Sequence, residues 1–163
     1  GELLAGRGAE LVVTDAVPAR IEQAVERFGA RAVAPEQILA EPCEVFAPCA
    51  LGGCITEAVA ETLPARGVCG AANNVFAAPA AAAALHARGV LAVPDFVANA
   101  GALIAGATWH LTGERVGHER IRRIGATAAE LLARARSEGR PPHEIALELA
   151  NERLAAAGAG GVA

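Results

Sequence analysis

Lysine and methionine do not occur among the 163 residues, so all 14 basic side chains are arginine. The missing lysine reflects codon bias, and it removes lysine-based catalysis from this stretch of chain. There is no excess of positive charge either. A formal net charge of -4 and a pI near 5.6 leave no electrostatic reason to expect a nucleic-acid partner. No signal peptide is recognisable at the start. The longest small-apolar stretch, Phe76–Leu85, is alanine-rich and too short to cross a bilayer, so neither a membrane partner nor a secreted location is expected. The four cysteines, Cys43, Cys49, Cys54 and Cys69, lack the paired CxxC spacing of zinc knuckles. They read as buried, inert thiols near strand ends, and no metal site is expected.

What is present is a globular composition: 53% hydrophobic and 20% charged residues, enough chain to bury a core. Short apolar runs alternate with helical stripes. Glu10–Val13 reads as a strand ending in Thr14-Asp15. Pro18 opens a helix with Ile21, Ala24, Val25 and Phe28 on one face, closed by Gly29. Further strands are expected at Ala30–Val33, Glu44–Ala47, Gly67–Gly70 and Val90–Val93, with a helical turn from Pro35 and helices at Ile55–Leu63 and Ala78–Ala87. From Ala100 onward the chain reads as helix, broken at Gly113-Glu114, Gly117 and Gly139–Pro142. This alternation predicts βαβ units and an α/β, Rossmann-type doubly wound parallel sheet. The expected division is a dinucleotide-binding domain over residues 1–112, helices packing on it over 113–157, and a disordered tail over 158–163.

Three segments fall where strands should end: Pro48-Cys49-Ala50-Leu51-Gly52-Gly53-Cys54, Gly70-Ala71-Ala72-Asn73-Asn74-Val75-Phe76 and Pro94-Asp95-Phe96-Val97-Ala98-Asn99-Ala100-Gly101. Strand ends of a parallel sheet form the ligand crevice. Small residues admit a cofactor to the backbone there, and amide side chains offer both donors and acceptors. Asp15, at the end of its strand, is placed to accept hydrogen bonds from the ribose hydroxyls of an adenosine and to repel the extra phosphate of NADP. Each residue also has a plainer role. Asp15 suits a turn or helix cap, the Asn73-Asn74 pair suits strand termination, and Asn99 suits a helix cap. The glycines at 52 and 53 suit a tight turn.

Taken in order, and with the long string Pro42-Cys43-Glu44-Val45-Phe46-Ala47-Pro48-Cys49-Ala50-Leu51-Gly52-Gly53, these segments resemble the nucleotide-binding half of the leucine, phenylalanine and valine dehydrogenases. The resemblance runs from about Gly8 to Leu154. It extends to Pro141-Pro142-His143-Glu144-Ile145 and Asn151-Glu152-Arg153-Leu154. Glutamate dehydrogenases are similar more distantly, sharing Pro-Cys-Ala but usually not the following Leu-Gly-Gly. The resemblance implies NAD-dependent oxidative deamination of a branched-chain or aromatic L-amino acid to a 2-oxo acid and ammonia. It implies a cytoplasmic enzyme that is a homo-oligomer at full length. By the same resemblance, Asp15, Cys49, Ala50, Ala71, Ala72, Asn73 and Asn99 contact the cofactor. Leu103 and Gly106 line the pocket for the substrate side chain.

Departures from the family pattern bear on these expectations. Ala102–Trp109 lacks the Asn and acidic residues common after Asn-Ala-Gly-Gly in leucine dehydrogenases, which leaves the substrate open. The family's catalytic lysine and aspartate belong to an N-terminal domain, so no catalytic residue is assigned here. His86, His110, His118 and His143 are scattered among helices and read as surface or helix-terminal residues. The Gly-x-Gly-x-x-Gly turn expected a helix before Asp15 is not found, and the chain opens in mid-helix character at Gly1-Glu2-Leu3-Leu4. A fragment is expected, lacking the first strand and glycine-rich turn of the sheet, inactive alone and marginally foldable. The alternative is a stand-alone, non-catalytic nucleotide-binding module. An alanine-dehydrogenase-like oxidoreductase fits Gly70–Asn74 and Val93–Gly101 poorly.

Overall fold

The computed structural model describes residues 1–115 and 117–159. Its chain divides into two compact units, residues 1–42 with 62–64, and residues 43–61 with 65–163.

In the first unit, α1 (Glu2–Ala5) precedes β1 (Val12–Val13), α2 (Pro18–Phe28), β2 (Arg31–Ala32) and a 3₁₀ turn at Ile38–Ala40. Pro18 occupies the first turn of α2, where its missing N–H costs nothing. Gly29 ends the helix at φ 64°, a left-handed conformation that glycine adopts freely. Strands β1 and β2 pair in parallel, Val12 opposite Arg31 and Val13 opposite Ala32.

The second unit is built on three parallel strands in the order β3-β4-β5: Cys43–Phe46, Ala65–Val68 and Leu91–Ala92. The central strand carries buried Ala65 and Val68, as a strand covered on both sides should. Between the strands run α3 (Glu57–Thr62) and α4 (Pro79–Ala87), the latter burying Ala81 and Leu85. Then follow α5 (Asp95–Ala98), α6 (Gly101–Thr112), α7 (His118–Glu138) and α8 (Pro142–Ala159). Leu131 and Ala135 of α7 meet Ile145, Ala146 and Leu149 of α8 in a buried cluster, against which Val97 of α5 packs. Among the described residues, no helix is long and apolar enough to cross a membrane.

The α/β class and the parallel pairing agree with the sequence reading, and most elements fall within two or three residues of their expected bounds. Three differences have physical causes. Helix α3 starts later than expected because Ile55 is fully buried in an extended bridge to Phe76, its N–H donating to Val75 O at 3.1 Å. Thr56 then caps the helix through its hydroxyl, which accepts from the Val59 N–H at 3.2 Å. The short helix α5 interposes between β5 and α6, so Asn99 follows α5 as its C-terminal cap and α6 begins only at Gly101. Helix α8 runs on to Ala159, past the expected start of the tail at residue 158. Residues 160–163 of the expected tail lie outside the described residues.

Candidate functional site

In the second unit, the loops that follow β3, β4 and β5 are laced together by backbone hydrogen bonds. Cys69 N donates to Phe46 O at 3.0 Å, Ala72 N to Pro48 O at 3.0 Å, Gly53 N to Asn74 O at 2.7 Å, and Val93 N to Val68 O at 2.9 Å. Two glycines make this lacing possible. A Cβ on Gly70 would fall inside the Pro48 backbone, and one on Gly52 would collide with the carbonyls of Asn73 and Asn74. Only a residue without a side chain allows backbones to approach so closely.

Asn74 takes a left-handed conformation, φ 50°, which a short amide side chain tolerates better than most. The carboxylate of Asp95 accepts a hydrogen bond from its N–H. Next to it, the Asn99 side-chain amide donates to the side-chain oxygen of Asn73. The loop after β4 is therefore held from the start of α5 and from its end. Among the described residues, the Asn73 NH₂ and the Asn99 side-chain oxygen make no other hydrogen bond.

The structure treats the expected site residues unequally. Cys49, Ala50, Ala71 and Asn73 are exposed on these loops, and Asn99 is half-buried beside them. Ala72 is only 3% exposed, so it positions its neighbours rather than presenting a side chain. Leu103 and Gly106 lie one turn apart on α6, Leu103 74% exposed and Gly106 with open space where a Cβ would stand. Among the described residues, no group of three or more metal-ligating side chains converges. The cysteines correct the sequence reading. Cys49 and Cys69 are exposed and Cys43 and Cys54 only partly covered, because the loop thiols lie beyond the ends of the strands rather than in the sheet interior. Burial pushes the Cys54 thiol up.

In the first unit, Asp15 does what a turn aspartate does. One carboxylate oxygen accepts from the Val17 N–H at 2.8 Å, ahead of α2. The other lies 3.7 Å from Arg20 Nη1. The first turn of α2 carries Arg20 back to the carboxylate. Beside Asp15, the buried Thr14 hydroxyl has no hydrogen-bond partner.

Sequence reasoning missed Asp95 and the pairing of Asn99 with Asn73. An acidic residue directly after Pro94 at a strand end was the available signal, since such residues commonly bind nearby backbone N–H groups.

The family described as glutamate/leucine/phenylalanine/valine dehydrogenase matches residues 9–159. Leucine dehydrogenase of Bacillus subtilis (strain 168) is 36% identical over 149 residues, covering 90% of this chain and 41% of its own. Valine dehydrogenase of Streptomyces albus is 37% identical over 165 residues, covering 96% of this chain and 44% of its own. The crystal structure of L-tryptophan dehydrogenase from Nostoc punctiforme superposes with a TM-score of 0.86 at 29% identity, over 93% of this chain and 47% of that one. The chain thus spans less than half the length of these relatives.

Proposed function

Because the chain belongs to the glutamate/leucine/phenylalanine/valine dehydrogenase family, we propose that it forms the dinucleotide-binding part of an NAD-dependent amino-acid dehydrogenase. The complete enzyme would convert a branched-chain or aromatic L-amino acid to a 2-oxo acid and ammonia. The observation that carries this reading is the Asn73–Asn99 side-chain pair, which joins the segments that follow β4 and β5 and leaves amide donors and an acceptor for a ligand.

The residues present fit a dinucleotide. Side-chain-free contacts at Gly52 and Gly70 hold the strand-end loops close together, and exposed Cys49, Ala50 and Ala71 offer small side chains to a bulky ligand. Asn73 and Asn99 would orient a carboxamide or ribose through the free donor and acceptor. Asp95 acts one step back, fixing the backbone of Asn74. When bound, the nicotinamide supplies the hydride-accepting carbon. The protein's contribution is orientation and exclusion of water. Asp15 is assigned to the adenosine ribose.

The β1-α2-β2 and β3-α3-β4-α4-β5 connections are of the kind a Rossmann-type sheet uses, and that topology belongs to the proposal. So does assignment of the glycine-rich phosphate turn, its strand, and the catalytic lysine and aspartate to residues beyond these 163. The division into a dinucleotide-binding domain over 1–112 and packing helices over 113–157 is carried with it, as are cytoplasmic homo-oligomeric assembly and the pocket role of Leu103 and Gly106.

The test is an assay of the full-length protein containing these residues. Leucine, valine and phenylalanine are offered with NAD. Gly106→Val should shift preference toward the smaller amino acids by about 1–3 kcal/mol in relative kcat/KM, the discrimination expected of one or two methylenes. An unchanged phenylalanine-to-valine ratio would remove Gly106 from the pocket. No NAD reduction with any of the three would overturn the reading.

A further inference from the structure

Helix α5 is a single turn whose residues face two ways. Its first residue, Asp95, accepts the Asn74 N–H, and Asn99, at its C-terminal cap, donates its side-chain amide to Asn73. Its middle residues reach the α7–α8 hairpin instead. Val97 packs on the Leu131–Ile145 cluster, and Phe96 meets the ring of His143, with centroids 5.5 Å apart and planes at 79°. Edge-to-face contact is favoured because the positive edge of one ring meets the negative face of the other. His143 is the second residue of α8 and follows buried Pro142. A helix this short has little stability of its own, since its nucleus costs more than its few hydrogen bonds return. Its placement therefore depends on what it packs against. Consecutive helical residues point about 100° apart, so the Phe96 and Val97 contacts together fix the rotation of α5 where Val97 alone would let it roll. A roll would carry Asp95 and Asn99 away from the loop after β4.

We propose that His143 and Phe96 are positioning residues for dinucleotide binding: their ring contact sets the rotation of α5, and α5 in turn holds the Asn73–Asn99 pair. The dinucleotide rests on the function proposed above, whereas the link from His143 to Asn74 is a property of the chain alone. Both rings lie outside the buried core, with Phe96 42% exposed and His143 exposed. Replacing either one leaves the packing of Leu131, Ala135, Ile145, Ala146 and Leu149 in place, so the variants keep the fold while α5 loses one of its two supports.

The experiment uses the full-length protein containing these residues and two readouts, the KM for NAD and the hydrogen exchange of the Asn74 N–H. His143→Ala and Phe96→Leu should each raise the KM for NAD by about three- to tenfold, the worth of one aromatic pair, with kcat at saturating NAD little changed. Exchange at Asn74 should quicken in both, while Cys69 N–H, bonded to Phe46 O within the sheet, keeps its parent rate. The double variant should be no worse than the worse single one, because both substitutions break the same contact. His143→Phe and Phe96→Tyr keep a ring at each position and should stay near the parent. Additive effects in the double variant, failure of the ring-keeping variants to rescue, or a fall in kcat with an unchanged KM would each overturn the proposal. So would quickened exchange at Asn74 without a change in KM. A parent enzyme that reduces no NAD overturns the proposed function and the positioning role with it, and the Asn74 exchange then decides the link from His143 on its own.

Discussion

Gly70 and Gly106 are the same residue type under opposite constraints. A Cβ at Gly70 would overlap the Pro48 backbone, which cannot rotate away as a side chain could. Gly70→Ala should therefore destabilise the protein by about 1–3 kcal/mol, as overpacking does. Gly106 sits inside α6 with nothing near its missing side chain. Gly106→Ala should stabilise by up to about 1 kcal/mol, because alanine loses less backbone entropy in a helix. Thermal melts of the two variants beside the parent check both signs at once. Asp15 carries a second prediction at this scale. Under the proposed function its carboxylate would favour NAD over NADP, while Arg20 at 3.7 Å offers a counter-charge that a 2′-phosphate could use. In the full-length enzyme, Arg20→Ala should widen the preference for NAD and Asp15→Asn should narrow it, each by about 1–3 kcal/mol in relative kcat/KM. Movement of both ratios in the same direction would contradict this division of roles.

Helices α7 and α8 are joined by charge as well as by the Leu131–Ile145 core. Arg134 pairs with Glu138, Glu148 and Glu152, and Arg140 with Glu138, Glu144 and Glu148. Hydrogen bonds from Arg140 hold the Glu148 carboxyl below its ordinary range, and those from Arg134 do the same for Glu138. A carboxyl whose pKa is lower folded than unfolded adds stability above its unfolded value and loses it as pH falls through the folded one. The hairpin should therefore weaken as pH drops below about 4.3, the ordinary glutamate value. Salt should weaken it at neutral pH, since these groups are at least partly open to solvent. Helical circular dichroism followed on heating across that pH range is the check, with Glu148→Gln flattening the dependence. The hairpin also matters to the candidate site, because Val97 of α5 rests on its core. Asp95 and Asn99, at the two ends of that short helix, hold the loop after β4.

The two compact units differ in how much apolar surface they bury. Among the described residues, the first unit buries Ala30 and Leu63, whereas the second has Ile55, Val68, Leu85, Leu131 and Ile145 among its core. A two-stranded sheet without a substantial core is marginal in water. Native-state hydrogen exchange should therefore show the β1–β2 amides, Arg31 and Val33, exchanging faster than Cys69 and Val93 in the three-stranded sheet. Equal protection across both sheets would show that the first unit draws its stability from something other than its own core.

Local pattern fixed much of this protein from sequence. Pro18 and Gly29 bracket α2 because one lacks an N–H and the other tolerates positive φ. The parallel strands were legible because short apolar runs alternate with helical stripes at βαβ spacing. The strand-end loops were legible because their small residues and amides occur together in one order. Tertiary structure decided what depends on distant residues. Ile55 fits a helix on propensity, yet it is extended because Phe76 and Val75, some twenty residues on, supply its backbone partners. The cysteines near strand ends were expected inside, but two lie in the open because the loops carry them past the sheet. Arg20 meets Asp15 only once α2 has coiled. Asn99 looked like the cap of a following helix, and the turn at α5 instead carries its amide to Asn73. Sequence periodicity records how a residue relates to its neighbours within about a turn. Which amide faces which across the sheet is settled when the strands pair.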